Sequence, residues 1–231
     1  MNEEISISHP HLEETITVNN EVVSILRVEN PLQFYKFAMD IKNQLEGRSG
    51  EFCFSMNDQI VAFEKVGDLV CDFFNLEIND KRVINLLHKK LEKISVTTGN
   101  ERLFNELNSR VSNFLYDLFF RADLNLVFNE LQVADVLKIS SVKFEENYES
   151  LLEKIVVYIN VITQLKNCKM MVFINLKSVL SDEELKKLYY HCNLVKVGLL
   201  LLESSKIRSL LSNERAIIIT DDLCEIVENF T

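Results

Sequence analysis

Residues Ser150–Leu188 read SLLEKIVVYINVITQLKNCKMMVFINLKSVLSDEELKKL, a helix, a strand and a second helix in close succession. Leu151, Leu152, Ile155, Val156, Ile159 and Ile162 recur at three- and four-residue spacing, which predicts a helix from about Glu146 to Lys166. Lys169–Asn175 (KMMVFIN) is apolar almost throughout and has the length of a strand. Ser181-Asp182-Glu183-Glu184 forms a capping box, so a helix opens there and runs to about Cys192. Two more apolar runs follow, Val195–Glu203 and Ala216–Thr220 (AIIIT). Strands without a polar face, alternating with helices, are parallel strands covered on both sides. The predicted fold class is α/β with a mostly parallel sheet.

Toward the N-terminus the pattern differs. Glu14–Val18 and Val22–Val28 alternate apolar and polar residues, with Asn19-Asn20 as the turn between them. Leu32–Leu45 has near-helical spacing, and Phe52–Phe54 with Gln59–Glu64 reads as a hairpin. From Val66 the periodicity is helical: Val66, Leu69, Val70, Phe73 and Phe74 predict an amphipathic helix. Asn79-Asp80 caps a second, carrying Val83, Leu86, Leu87, Leu91 and Ile94. After Thr97–Gly99 the longest helix follows, with Leu103, Leu107, Val111, Phe114, Leu115 and Leu118 on one face; a shorter one spans Glu130–Ile139. The expected organisation is a head in two parts, residues 1–64 and 150–231, with a helical leg, residues 65–149, inserted between them.

Composition narrows the function. At 231 residues, 47% hydrophobic and 26% charged, with 5 Gly and 2 Pro, the chain supports a sizeable core and few long loops. No apolar run reaches membrane-spanning length and the first ten residues are polar, so a cytoplasmic protein without span or signal peptide is expected. Cys53, Cys71, Cys168, Cys192 and Cys224 are scattered and odd in number, which predicts reduced thiols acting as small buried hydrophobes. The net charge of −10 opposes nucleic-acid binding on average, although binding depends on the local field.

The chemistry of a nucleotide enzyme is missing. No Gly precedes a Lys and no G-x-G-x-x-G exists, so no glycine-rich loop can bring backbone N–H groups against a phosphate. KMMVFIN ends in Asn175 where a metal-holding strand would end in Asp. Glu203 and Asp221-Asp222 also stand at strand ends, where open α/β sheets bind ligands, and are read as caps. His88, beside Lys89 and Lys90, is read as a solvated residue on the outer side of its helix. His191 and Cys192 are neighbours on a helix, about 100° apart, which is poor geometry for a base and its nucleophile. No enzyme is expected.

Over most of its length, best from Asn100 to Asp222, the chain resembles the small CRISPR adaptation protein of type II-A systems. The resemblance rests on ITVNNEVVSILRVEN, on ADVLKISSVKFE (Ala134–Glu145), on Ser150–Leu188 as quoted, and on GLLLLES (Gly198–Ser204) followed by the basic Lys206–Arg208. It implies a head related to phosphate-loop ATPases without a working nucleotide site, and a helical leg. It further implies a homotetrameric ring whose positive hole threads the end of linear double-stranded DNA during spacer acquisition. The implied partners are the CRISPR integrase proteins and effector nuclease of the same system; calcium ions are the implied cofactor.

Carried over residue by residue, Lys138 and Lys143 match lysines of the family string and are expected to contact duplex phosphates. Without the resemblance they read as ordinary solvated lysines. Lys89, Lys90 and Lys93 form a second, weaker basic cluster. The family's acidic run falls on Arg121–Glu130 (RADLNLVFNE), where Asp123, Asn125 and Glu130 are the expected calcium ligands. Arg121, Ala122 and Val127 stand where acids are common, which reduces the donor count for an ion that takes roughly 6–8 oxygens. The rival readings are an interaction scaffold with incidental DNA contact and, disfavoured by the missing glycines and lysine, a cryptic nucleotide hydrolase.

Overall fold

The computed structural model describes residues 4–97, 99–204 and 209–229; Lys206–Arg208 lie outside the described residues. The elements in chain order are β1 (Ile5–Ser8), β2 (Ile16–Val18), β3 (Val23–Val28), α1 (Pro31–Leu45), β4 (Cys53–Met56), β5 (Gln59–Ile60), α2 (Phe63–Val66) and β6 (Gly67–Val70). Then come α3 (Lys81–Thr97), α4 (Glu101–Ala122), α5 (Val133–Ile139), α6 (Leu151–Lys166), β7 (Met170–Ile174), α7 (Asp182–Leu194), β8 (Gly198–Glu203), β9 (Glu214–Ile219) and β10 (Glu225–Asn229).

The chain divides into two compact units, Met1–Glu77 with Asn147–Thr231, and Ile78–Glu146. The first, the head, holds a six-stranded sheet of order β10-β9-β3-β8-β7-β6, in which only β10 runs antiparallel to its neighbour. The chain is thus α/β with a mostly parallel sheet. A small antiparallel sheet, β2-β1-β4-β5, packs its Ile5, Ile7, Ile16, Val18 and Phe54 into the same core as Leu26, Val172, Leu200 and Ile217. Gly198 opens β8 beside this sheet: a Cβ there would stand 2.6 Å from the Val18 side chain and 3.0 Å from the Asn19 carbonyl.

Three expectations change. Val66–Phe74 is not a helix: Gly67–Val70 is the edge strand β6, paired in parallel with β7 from Gly67↔Met170 to Val70↔Phe173. Apolar residues at 66, 69, 70, 73 and 74 fit a helical stripe equally well, but Asp68 decides otherwise. It is fully buried and accepts a hydrogen bond from Tyr158 Oη at 3.0 Å, with Lys166 Nζ 4.0 Å away. Likewise, β2 and β3 are not a hairpin. Asn19 Oδ1 accepts from the N–H of Glu21 and of Val22 at 2.9 Å each, and this turn passes the chain from the small sheet into the large one. The cysteines, finally, are free but only Cys168 and Cys192 are buried; Cys53, Cys71 and Cys224 are exposed.

The predicted caps form. Ser181 Oγ accepts from Glu184 N while the Glu184 carboxylate accepts from Ser181 N at 2.8 Å. Asp80 accepts from Val83 N at 2.7 Å at the start of α3, and Ser150 caps α6, which begins at Leu151 rather than near Glu146. In the second unit α3 packs on α5, and Asn108 of α4 exchanges two hydrogen bonds with the backbone of Leu131. Yet α4 buries none of its residues, and Leu103, Phe114 and Phe120 are more than half exposed. No helix among the described residues is long and apolar enough to cross a membrane.

Leu201 of β8 is fully buried between β3 and β7. Leu201→Ala is expected to destabilise the protein by about 2–5 kcal/mol, read by urea unfolding. A loss within about 0.5 kcal/mol, the range of ordinary surface changes, contradicts the sheet order.

Candidate nucleic-acid interface

The carboxyl edge of the parallel strands is where an α/β sheet of this kind holds a ligand, and here that edge is closed by its own residues. Only Glu29 and Asn30 connect β3 to α1, too few to wrap a phosphate. Asn30 Oδ1 accepts from Leu32 N and Gln33 N, both at 3.1 Å, and Pro31 brings no N–H. The first-turn donors that would bind an anion are therefore reduced and occupied. Asn30 Nδ2 donates to the Asp221 carbonyl at 3.1 Å, and Arg27 pairs with Glu29 at 2.9 Å. Asn175, in the left-handed region at φ 56°, accepts from Ser204 N and Ser204 Oγ at 2.9 Å each. Asp222 accepts from Thr220 Oγ1 at 2.6 Å. Asn30 thus caps α1, whereas Asn175 and Asp222 brace turns, and the element after Asp222 is β10 rather than a helix.

Behind the edge lies a polar cluster that the sequence did not announce. Lys177 Nζ donates to both carboxylate oxygens of Glu214 at 2.7 Å, with both side chains buried. Tyr189 Oη and Leu211 N each donate to Glu214 at 2.7 Å. Glu203, 1% exposed, accepts from Lys177 N at 3.0 Å. Burial pushes Glu203 up to about 7, against the opposing pull of the Lys177 N–H and ammonium, and Glu214 adds to the rise. Burial, with Glu214 alongside, holds the Tyr189 phenol far above its ordinary value, so it stays a donor. The cluster fixes the strand ends: a buried pair with all its lone pairs met is a brace. A Glu at the head of the apolar run of β9 was the available signal. Cys192 is buried and its thiol is pushed up to about 12 by desolvation, while His191 Nε2 lies 2.9 Å from Asn160 Oδ1. Neither is an activated nucleophile.

Charge is divided sharply between the units. Ile78–Glu146 carries ten Lys and Arg against ten Asp and Glu, so the net −10 belongs wholly to the head. On the neutral unit stand all five sequence-selected lysines. Lys138, in the last turn of α5, and Lys143, four residues beyond its end, are exposed. Between them Ser141 takes φ 50° and reverses the chain. The segment that follows is clamped: Phe144 N donates to Asn79 Oδ1 at 2.8 Å and Asn79 Nδ2 returns a bond to Phe144 O at 2.9 Å. His88 is not solvated. It is 9% exposed, with Nε2 3.4 Å from the Val142 carbonyl. That contact puts His88, the chain neighbour of Lys89, against the residue preceding Lys143. Lys89 and Lys93 are exposed and Lys90 is half-buried; Lys90 and Lys93 also interact within the chain.

The acidic segment begins where α4 ends. Asp123 ends α4 in the left-handed region at φ 53°, and Asn125 and Glu130 are exposed. Arg121 is engaged by Asp117 at 2.7 Å. Among the described residues no group of three or more His, Cys, Asp or Glu is placed to hold a metal ion. Asp123, Asn125 and Glu130 by themselves supply fewer side-chain oxygens than the roughly 6–8 that calcium takes.

These features define a class: an α/β head whose ligand edge is sealed by side chains, bearing an inserted, charge-neutral helical unit with exposed lysines. A sequence model of CRISPR-associated protein (Cas_Csn2) matches residues 44–223, and the chain belongs to that family. It is 23% identical over 214 residues to CRISPR-associated protein Csn2 of Streptococcus agalactiae, covering 89% of this chain and 92% of the relative. Among solved structures it is similar to an ATP-binding cassette of an ABC transporter in its ADP conformation, with TM-score 0.46, 10% identity and 95% and 88% of the two chains covered. A nucleotide-free ATP-binding cassette from an ABC transporter gives TM-score 0.45, 12% identity and 96% and 90% coverage.

Glu203 gives the site a pH signature. The folded state holds its proton more tightly than the unfolded chain does, so the contribution is complete below the ordinary carboxylate value. It is lost as pH rises through about 7. A shift of this size carries on the order of 3 kcal/mol. Glu203→Gln, which removes the titration and keeps an acceptor for Lys177 N, is therefore expected to gain stability relative to the unaltered protein between pH 5 and pH 8. Urea midpoints differing by the same amount at both pH values contradict the assignment.

Proposed function

We propose that this CRISPR-associated protein is a non-catalytic accessory of spacer acquisition that binds the ends of linear double-stranded DNA through the hole of a homotetrameric ring. Lys138 and Lys143 contact duplex phosphates, supported by Lys89, Lys90 and Lys93. The observation carrying this reading is the gathering of these lysines on adjoining parts of the one unit free of net negative charge. Symmetry would repeat that patch around a ring, making a positive lining while the acidic heads keep the assembly soluble. The uncovered apolar residues of α4, among them Phe114 and Phe120, support self-assembly. The sealed strand edge supports the absence of nucleotide chemistry. Any calcium held at Asp123, Asn125 and Glu130 draws its remaining oxygens from elsewhere than this segment.

The integrase proteins and the effector nuclease of the same system are the partners this role implies. The net −10 of the head favours a second reading, a scaffold among those proteins whose DNA contact is incidental.

Binding to linear and to covalently closed circular duplexes of equal length separates the two. Linear DNA is expected to bind and circular DNA to fail. Replacing both Lys138 and Lys143 by Gln is expected to lower the slope of log affinity against log salt by about one for each phosphate no longer neutralised. Equal binding to circles, or an unchanged slope, sinks the ring-threading reading and leaves the scaffold.

A further inference from the structure

We propose that the head carries a docking groove for a basic segment of a partner protein, one that presents an aliphatic or aromatic side chain between its cationic residues. The groove, about 520 Å³, is lined chiefly by Phe73, Phe74, Tyr148, Leu151, Lys154 and Val179, all of them head residues. Its floor is fixed to the core, because the Phe73 ring stacks on Phe173 of β7 with centroids 6.3 Å apart and planes 12° from parallel. Its wall is a ring held out in water. Phe74 is 91% exposed, and Asp72 Oδ1 fixes the turn that presents it by accepting from Phe74 N and Asn75 N at 3.0 and 3.1 Å. A large aromatic left this open over an apolar floor is the anchor site of an interface.

Charge selects the occupant. Glu149 lines the groove and its N–H donates to the Glu153 carboxylate at 2.7 Å, while Asp72, next to Phe73 in the chain, feels the charge of Lys154. Against these three acids stands Lys154, whose Nζ lies 5.5 Å from the Tyr148 centroid and so covers that ring, leaving Phe74 free. A phosphate backbone is repelled here, and so is a second head of this chain, which carries the whole −10. A segment with basic residues flanking an apolar one satisfies both features: the apolar side chain enters between Phe74 and Leu151 while the cations meet the acidic rim.

The proposal rests on the head alone and is independent of DNA binding. The test is fluorescence anisotropy of the full chain with three labelled peptides, KRLFKR, KRGSKR and EELFEE. KRLFKR is expected to bind at least about tenfold tighter than the other two, and Phe74→Ala to remove about tenfold of that affinity. Because Phe74 is exposed, the same variant is expected to keep the melting temperature of the unaltered protein, so a folding defect is not the cause. The double Lys138, Lys143 to Gln variant is expected to keep peptide binding, which separates failure of this proposal from failure of the DNA reading. Equal binding of KRGSKR, indifference to Phe74→Ala, or displacement of the peptide by a single-stranded oligonucleotide would each overturn it.

Discussion

Leu199, Leu200, Leu201 and Leu202 are each at most 2% exposed, with β3 hydrogen-bonded on one side of β8 and β7 on the other. A strand with no solvent-facing side chain has only one stable place, the middle of a sheet covered on both faces. From that constraint the rest of the head follows. Parallel neighbours need crossovers, so helices such as α6 and α7 lie between consecutive strands, and all carboxyl ends except that of β10 collect at one edge. The crossover from β6 to its neighbour β7 is also where the helical unit is inserted, since lengthening a surface connection adds little to the entropy of closing it.

The strength of that core made part of the fold readable. KMMVFIN and GLLLLE have no polar alternation, and no element but a buried strand of that length accommodates them. The capping box at Ser181 and the cap at Asp80 were equally plain, because their chemistry is local. What the sequence hid depended on distant partners. Val66–Phe74 has a helical stripe and becomes a strand because Asp68 finds Tyr158, ninety residues away, inside the core. His88 sits beside two lysines yet turns inward to Val142, and Lys177 follows a strand like any surface lysine yet reaches Glu214. The candidate interface was legible only as separate lysines. Their common neighbourhood comes from the Asn79 clamp and the α3–α5 packing, neither of which leaves a periodic trace.

Charge is segregated within the molecule. An average of −10 conceals a neutral unit and a strongly acidic one. The head turns its polar strand-end groups on themselves: Asn30, Asn175, Glu203 and Lys177 are all committed to internal hydrogen bonds. A sheet edge braced in this way spends its polar groups on the fold. The helical unit does the reverse, leaving Lys89, Lys138 and Lys143 and the apolar face of α4 exposed.

The most direct test of this account is amide hydrogen exchange with and without a linear duplex. Binding through the neutral unit predicts new protection across Val133–Glu146 and along α3, with Glu29–Gln33 and Asn175–Ser178 unchanged. Protection at that strand edge, with none in the helical unit, would contradict it.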